Sequence, residues 1–201
     1  YQASIHPVIA VSGTAFTISH TTALSRITTK IVLLYDGDEA GGNAAIRAGW
    51  VLLKAGLEPS IVRPPEGQDP DDWVGDAGKE SVISAIELPQ RYIDFHMEFN
   101  RGSELQGADR QQYINALVRE IKGIENGIIR NDMVRIISEK LMVDEKDLIR
   151  TMKSQRVNPL YNTDPEYPQS HEVQFSSRVE KAQIELLQLL VQDNDSVRQY
   201  V

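Results

Sequence analysis

The sequence predicts an α/β fold in its first part and an all-α fold after it. A continuous apolar run at residues 30–35 is typical of a central parallel strand, because both faces of such a strand are buried. An alanine-rich segment at 39–55, with apolar residues at helical spacing, leads to a second strand-like run at 59–63. After Trp73 the strand patterns stop. We therefore expect a partial parallel sheet followed by a helical subdomain.

Each predicted element has local support in the sequence. Residues 8–11 form a short apolar run that is typical of a buried strand, and Thr17 is placed to cap a helix over 17–29. Gly56 supplies the C-terminal stop of the helix at 39–55. The helices expected after the sheet span 79–88, 89–100, 109–121, 127–141 and 144–155.

The order of these elements predicts four regions. Residues 1–76 hold the sheet, and residues 77–155 form the helical subdomain. Residues 156–176 contain three prolines and no periodic pattern, which is typical of a linker. Residues 177–201 begin a new amphipathic helix that has no packing partner near it in the sequence. We expect this last segment to be the start of another domain.

The composition limits the classes of function. The chain contains no cysteine, which excludes a disulfide framework and a thiolate metal site and fits a reducing cytoplasm. No apolar run approaches the roughly 20 residues that a membrane span needs, so we expect no membrane partner. The net charge of -8 is the opposite of what a protein that grips nucleic-acid phosphates usually carries. Any such grip therefore needs locally clustered cations.

Two aspartates follow the first long strand directly. Side chains on a strand alternate with period 2, so Asp36 and Asp38 leave the strand end on the same side. Two carboxylates this close repel each other, and Mg²⁺, which prefers hard oxygen ligands, relieves the repulsion. The alternative is a simple strand-to-helix turn in which Asp38 caps the helix that begins at Glu39.

A second acidic cluster follows the next predicted strand. Asp69, Asp71 and Asp72 lie in the segment that follows the strand at 59–63. Because the carboxyl ends of neighbouring parallel strands meet at one edge, we expect this cluster to face the first one. The competing interpretation is that Asp69 and Asp71 cap the next short helix and interact with its dipole. One of them is expected to do so, and the convergence of all of them favours a metal site.

Three motifs carry a family resemblance. Residues 34–41 resemble the Asp-x-Asp segment of a Toprim domain in the form found in bacterial DnaG-type DNA primases. Residues 12–15 are similar to the Gly-Thr-Ala turn that precedes it in these primases, and residues 65–71 to their Pro-x-Gly-x-Asp-Pro-Asp segment. The likeness continues more weakly through 124–152, and 176–201 is similar to the opening of the family's helicase-interacting tail.

The resemblance implies a site and a reaction. Asp36 and Asp38 would be catalytic and would hold Mg²⁺ or Mn²⁺, and Asp69 and Asp71 would complete the metal-binding surface. The reaction would be the synthesis of short RNA primers on single-stranded DNA from ribonucleoside triphosphates. The implied partner is the replicative helicase, bound through the C-terminal tail, and the expected state is a monomer in the bacterial cytoplasm.

Three further residues are candidates for binding nucleotide phosphates. Gly13 and Thr14 lie in the Gly-Thr-Ala turn. Arg47 lies on the helix after the aspartate pair, where it is placed either to meet phosphate or to pair with Glu39 or Asp38 on its own helix.

Other residues of chemical interest are expected to be structural. The histidines share no ligand spacing, and surface or loop positions are predicted for His6, His20, His96 and His171. Both tryptophans, Trp50 and Trp73, are predicted to pack in or at the edge of the core.

The family also carries features that these residues lack. A glutamate of the Toprim site lies on a strand upstream of the segment that matches here, and zinc is expected only in an N-terminal module that is likewise absent from the chain. We therefore expect that the chain alone makes no primers.

Three other functions fit parts of the sequence. A topoisomerase or nuclease of the Toprim class would share the aspartates, but the segment at 65–71 argues for a primase. A phosphatase with an aspartate nucleophile also begins with Asp-x-Asp, but Glu39 stands where it would carry Thr or Val. The third alternative is an interaction module without activity of its own, in which residues 80–201 recruit a helicase.

Overall fold

The computed structural model describes residues 8–11 and 16–154. Over these residues the chain forms eight helices and three strands. The helices are α1 (Ile18–Leu24), α2 (Glu39–Lys54), α3 (Pro70–Ala77), α4 (Lys79–Glu87), α5 (Tyr92–Phe99), α6 (Gly107–Lys122), α7 (Gly127–Leu141) and α8 (Glu145–Ser154). The strands are β1 (Lys30–Leu34), β2 (Glu58–Val62) and β3 (Gln90–Arg91).

The parallel pairing of β1 with β2 confirms the prediction, but β1 is an edge strand among the described strands and only its Leu33 is buried, so the expected central strand with two buried faces is wrong. β1 and β2 run parallel, in a register that pairs Lys30 with Glu58 and Leu34 with Val62. The crossover between them is α2, which packs on both strands. Gly56 follows α2 with a φ of 81°, a left-handed conformation that glycine adopts without cost and that ends the helix as expected. The α/β part followed by a helical part is thus the observed fold class.

Two further details of the predicted sheet are wrong. Residues 8–11 form no strand; Val8 and Ile9 are 61% and 44% exposed. A four-residue apolar run becomes a strand only where a neighbour accepts its hydrogen bonds. Conversely, Gln90 and Arg91 lie in a predicted helix but pair antiparallel with Ile61 and Ser60 as β3.

One apolar core joins the sheet to the helices. It runs from Leu33 on β1 through Leu52 on α2 and Ile93 on α5 to Ile137 on α7 and Leu148 on α8. A smaller cluster of Val62, Trp73 and Val82 packs α3 and α4 against the end of β2. Trp50 and Trp73 are 4% and 8% exposed, which confirms their predicted core positions. No helix in the described part of the chain is long and apolar enough to cross a membrane.

An aromatic cluster lies where α2, α5 and α6 meet. It consists of Trp50, Tyr92, His96 and Tyr113, and we call it the aromatic junction. The Trp50 ring meets Tyr92 and His96 edge-on, with centroids 5.4 and 5.5 Å apart. The Tyr92 hydroxyl donates to the carbonyl of Ile46 at 2.8 Å, which ties α5 to α2.

The buried histidines correct a second prediction. His20 and His96 are only 2% and 7% exposed, not on the surface. Nδ1 of His96 lies 3.0 Å from the Tyr113 hydroxyl, and burial lowers the pKa of His96 to about 4. His96 is therefore a neutral core residue near neutral pH. His6 and His171 lie outside the described residues.

Candidate functional site

The Asp36-Gly37-Asp38 turn connects β1 to α2. Asp38 is the N-cap of α2, and its Oδ1 accepts a hydrogen bond from the backbone N–H of Gly41 at 2.7 Å. The capping interpretation of Asp38 is therefore confirmed. It leaves the second carboxylate oxygen of Asp38 uncommitted, and both Asp36 and Asp38 are exposed at the end of the strand.

The backbone of Gly37 joins this turn to the second acidic segment. Its N–H donates to the carbonyl of Gln68 at 2.8 Å, and its carbonyl accepts from Nη2 of Arg63 at 3.0 Å. A Cβ at position 37 would collide with the carbonyl oxygen of Pro65. The loops after β1 and β2 are therefore in direct contact, as the parallel arrangement predicts, and only glycine fits between them.

Close contacts with neighbouring segments also explain why two residues in the first turn of α2 are glycines. A Cβ at Gly41 would collide with the backbone of Asp36, and one at Gly42 would collide with the ring of Phe99 on α5. Glycine is unfavourable inside a helix. Here it allows the start of α2 to lie directly against the acidic turn on one side and the helical subdomain on the other.

The second acidic segment begins α3. Oδ1 of Asp69 accepts from the backbone N–H of Asp72 at 2.8 Å and so caps the helix, while Pro70 occupies the first turn. The prediction that one aspartate of this cluster acts as a cap is thus confirmed. Asp71 and Asp72 lie exposed in the first turn, where their charge favours the positive end of the helix dipole.

We call Asp36, Asp38, Asp69 and Asp71 the acidic edge. All four are exposed. In the described part of the chain, no group of three or more histidine, cysteine, aspartate or glutamate residues is arranged to hold a metal ion. Mg²⁺ is commonly bound by only one or two carboxylates together with water and substrate phosphates. The hard-oxygen donors of this edge fit that kind of binding, and the metal assignment of all four stays a prediction.

Of the three predicted phosphate-binding residues, the structure describes only Arg47. Arg47 is exposed, and among the described residues it makes no ion pair, so the expected pairing with Glu39 or Asp38 does not form. Burial raises the pKa of the Tyr35 hydroxyl, and the guanidinium of Arg47 partly offsets that effect. The charge of Arg47 therefore lies near Tyr35, the residue before the acidic turn. Gly13 and Thr14 lie outside the described residues.

Sequence reasoning missed Arg63. Its guanidinium bonds the acidic turn and lies over the ring of Phe99, with its central carbon 5.7 Å from the ring centroid. The available signal was its position as the residue that follows β2, since neighbouring parallel strand ends meet at one edge. Its hydrogen-bond partner is a backbone carbonyl, and the residue types in a sequence do not indicate such a partner.

Two family models match the chain. Residues 1–74 match the Toprim-like family, and residues 106–146 match the DnaB-helicase binding domain of primase. The first match contains the acidic edge, and the second covers α6, α7 and the start of α8. The fold and the family match together place residues 1–74 in the Toprim-like class.

Several curated relatives and solved structures that resemble this chain are DNA primases. The DNA primase of Clostridium acetobutylicum is 32% identical over 209 residues, which cover 100% of this chain and 34% of that protein. The Aquifex aeolicus primase structure, with zinc-binding and RNA polymerase domains, is 29% identical with a TM-score of 0.56 over 69% of this chain and 33% of that one. A primase domain from Pseudomonas aeruginosa shares the fold, with 23% identity and a TM-score of 0.65 over 76% of this chain and 49% of that one.

The chain belongs to the DnaG-type family of bacterial DNA primases. It spans about a third of the length of the curated relatives that it matches.

Proposed function

We propose that this chain is part of a primase that makes short RNA primers on single-stranded DNA by metal-dependent nucleotidyl transfer. The contact between the two acidic loops through Gly37 is the observation that supports this best. It brings together two loops that carry exposed carboxylates at one edge of the sheet, and no ion pair within the described residues engages these side chains. Kinship with DNA primases supplies the reaction class.

We propose that Asp36 and Asp38 are metal ligands and catalytic groups, and that Asp38 binds the metal through the oxygen that does not cap α2. Asp69 and Asp71 are proposed as further metal ligands. Bound Mg²⁺ or Mn²⁺ would stabilise negative charge on the triphosphate and on the leaving pyrophosphate. The chain's own contribution is to hold the carboxylates on the sheet edge and to keep one oxygen of Asp38 engaged with Gly41.

Three residues are proposed to bind nucleotide phosphates. Arg47 is exposed and unpaired among the described residues, and we propose that it contacts phosphate oxygens of the incoming ribonucleotide. Gly13 and Thr14 belong to the same proposal through the family's Gly-Thr-Ala turn. A monomer in the bacterial cytoplasm remains part of the proposal.

The first experiment is a calorimetric titration of the 201-residue chain with Mn²⁺. Asp36→Asn and Asp38→Asn are expected to weaken binding, whereas Asp109→Asn, an exposed aspartate on α6, is expected to leave it unchanged. Equal weakening by all three variants would mean diffuse attraction to a chain of net charge -8 and would contradict a defined site.

Activity is tested in two settings. The chain alone is expected to make no template-dependent primers. In the complete primase, Asp36→Asn is expected to abolish primer synthesis, and Asp109→Asn is expected to preserve it. Retained synthesis by the Asp36 variant would contradict the catalytic role proposed for this residue.

Recruitment of the replicative helicase is a second candidate function. The match of residues 106–146 to the DnaB-helicase binding domain of primase favours it. The tail at 177–201, which resembles the start of the family's helicase-interacting domain, lies outside the described residues. Binding of the chain to the helicase in the presence of EDTA would support a metal-independent docking role, and its absence would contradict one for this chain.

A further inference from the structure

Both polar backbone atoms of Gly37 are bound by the loop that follows β2. Its N–H donates to Gln68 and its carbonyl accepts from Arg63, so the peptide units on both sides of Gly37 are fixed in direction. Asp36 and Asp38 are attached to those peptide units. The orientation of both carboxylates therefore depends on what holds Gly37.

Arg63 is held on two sides while it makes this bond. Nη2 donates to the Gly37 carbonyl at 3.0 Å, and the guanidinium lies over the Phe99 ring, 5.7 Å from its centroid. Phe99 in turn packs against Gly42 at the start of α2. A long, exposed arginine ordinarily loses much of its hydrogen-bond energy to side-chain entropy, and contact with an aromatic face reduces that loss.

We propose that Arg63 is a positioning residue that fixes the Asp36-Gly37-Asp38 turn in its metal-binding conformation. The proposal rests on the proposed metal function of the acidic edge. Arg63 itself contacts neither metal nor substrate, and it acts through the carbonyl of Gly37. It also links the edge to α5, because the ring under its guanidinium belongs to the helical part of the chain.

Because Arg63 is positively charged, the direction in which its removal changes Mn²⁺ affinity tests this proposal. A cation beside a metal site repels the metal, so removing Arg63 would tighten Mn²⁺ binding if charge were its only effect. A positioning role has the opposite result, because loss of a residue that orients ligands weakens metal affinity by about tenfold or more. The two roles therefore shift the Mn²⁺ dissociation constant in opposite directions.

The experiment compares Arg63→Met, Arg63→Lys and a control, Arg119→Met, in the 201-residue chain. Arg119 is an exposed arginine on α6, far along the chain from the edge. Mn²⁺ affinity is measured by calorimetry, and amide hydrogen exchange at Gly37 and at Leu52 is measured by NMR. Leu52 is fully buried in the core and reports global stability.

Arg63→Met is expected to weaken Mn²⁺ binding about tenfold. It should also speed exchange at Gly37 about tenfold with no change at Leu52. Arg63→Lys should recover part of both effects, since an ammonium still donates but cannot stack as a guanidinium does. Arg119→Met should change neither.

Three outcomes would overturn the proposal, and a fourth separates it from the metal function. Tighter Mn²⁺ binding by Arg63→Met would overturn the proposal, and so would unchanged exchange at Gly37. Equal acceleration at Gly37 and Leu52 would also overturn it, because it would mean a general stabilising role. If the parent chain binds no Mn²⁺ while Arg63→Met still accelerates exchange at Gly37 alone, the metal function fails for this chain and the positioning of the turn by Arg63 stands.

Discussion

The acidic edge lies at the start of α2, and the aromatic junction lies further along the same helix, around Trp50. The two regions are held by different forces. At the edge the carboxylates are exposed, and their positions are set by backbone hydrogen bonds to Gly37 and Gly41. At the junction the side chains contact one another, and exclusion of water holds them. The edge should therefore respond to small changes in backbone geometry, whereas the junction should respond to lost volume and buried charge.

The junction is expected to give the largest loss of stability. Trp50 is 4% exposed and contacts Tyr92 and His96, so Trp50→Ala should lower the free energy of unfolding by about 3–5 kcal/mol. Leu88→Ala is the matched control, because Leu88 is 87% exposed and should change stability by less than about 0.5 kcal/mol. Urea unfolding measures both. Mn²⁺ affinity of the still-folded Trp50 variant should be unchanged, and a large loss would mean that edge and junction are not separate.

Acid should weaken the junction through His96. Its pKa falls from 6.5 to about 4 on folding because burial disfavours the charged imidazole. The unfolded chain therefore binds a proton between these values while the folded chain does not, and stability falls as the pH drops from about 6.5 to about 4. A shift of this size corresponds to at most about 3 kcal/mol.

His96→Gln provides the check on that assignment. Glutamine cannot be protonated here, so the unfolding free energy of the variant should change less between pH 7 and pH 5 than that of the parent chain. Tyr113→Phe removes the hydroxyl near His96 Nδ1 but keeps the histidine, and it should preserve the pH dependence. An unchanged pH profile for His96→Gln would assign the acid sensitivity to other groups.

The edge should respond to a single methyl group. Gly37→Ala places a Cβ against the carbonyl of Pro65, and such overpacking costs about 1–3 kcal/mol. Because the collision separates the two acidic loops, Mn²⁺ affinity should fall as well. Gly75→Ala is the matched control: nothing lies within 4 Å of a Cβ there, and alanine in place of an exposed helical glycine should stabilise α3 slightly. Similar results from both variants would refute the steric argument.

The same contrast explains which parts of the fold could be predicted. β1, β2 and α2 follow from local patterns: apolar runs of strand length, a helical period and a glycine stop. The caps at Asp38 and Asp69 also follow from residue type and position. Each of these depends on residues that are neighbours in the sequence.

The features that were missed depend on distant partners. β3 is two residues long and exists because Gln90 and Arg91 meet the free side of β2. Residues 8–11 have the apolar pattern but lack the strand. Arg63 contacts a carbonyl and a ring supplied by separate segments. The burial of His96 had a local signal in the apolar residues around it on α5, which outweighed its polar character.

The smallest expected effect separates the two roles of Asp38. Its carboxylate caps α2 through Gly41, and asparagine caps about as well as aspartate, so Asp38→Asn should change stability little. Asp38→Ala removes the cap and should cost about 1 kcal/mol in urea unfolding. Both variants remove the carboxylate charge, so both should weaken Mn²⁺ binding alike.

Asp36 is the control within the same turn. It lies outside the helix and is not its cap, so Asp36→Ala should weaken Mn²⁺ binding without the stability cost of Asp38→Ala. If Asp38→Asn bound Mn²⁺ as well as the parent chain while Asp36→Ala did not, Asp38 would be a cap alone. The proposed metal ligands on this turn would then reduce to Asp36, and the second carboxylate would have to come from the loop after β2.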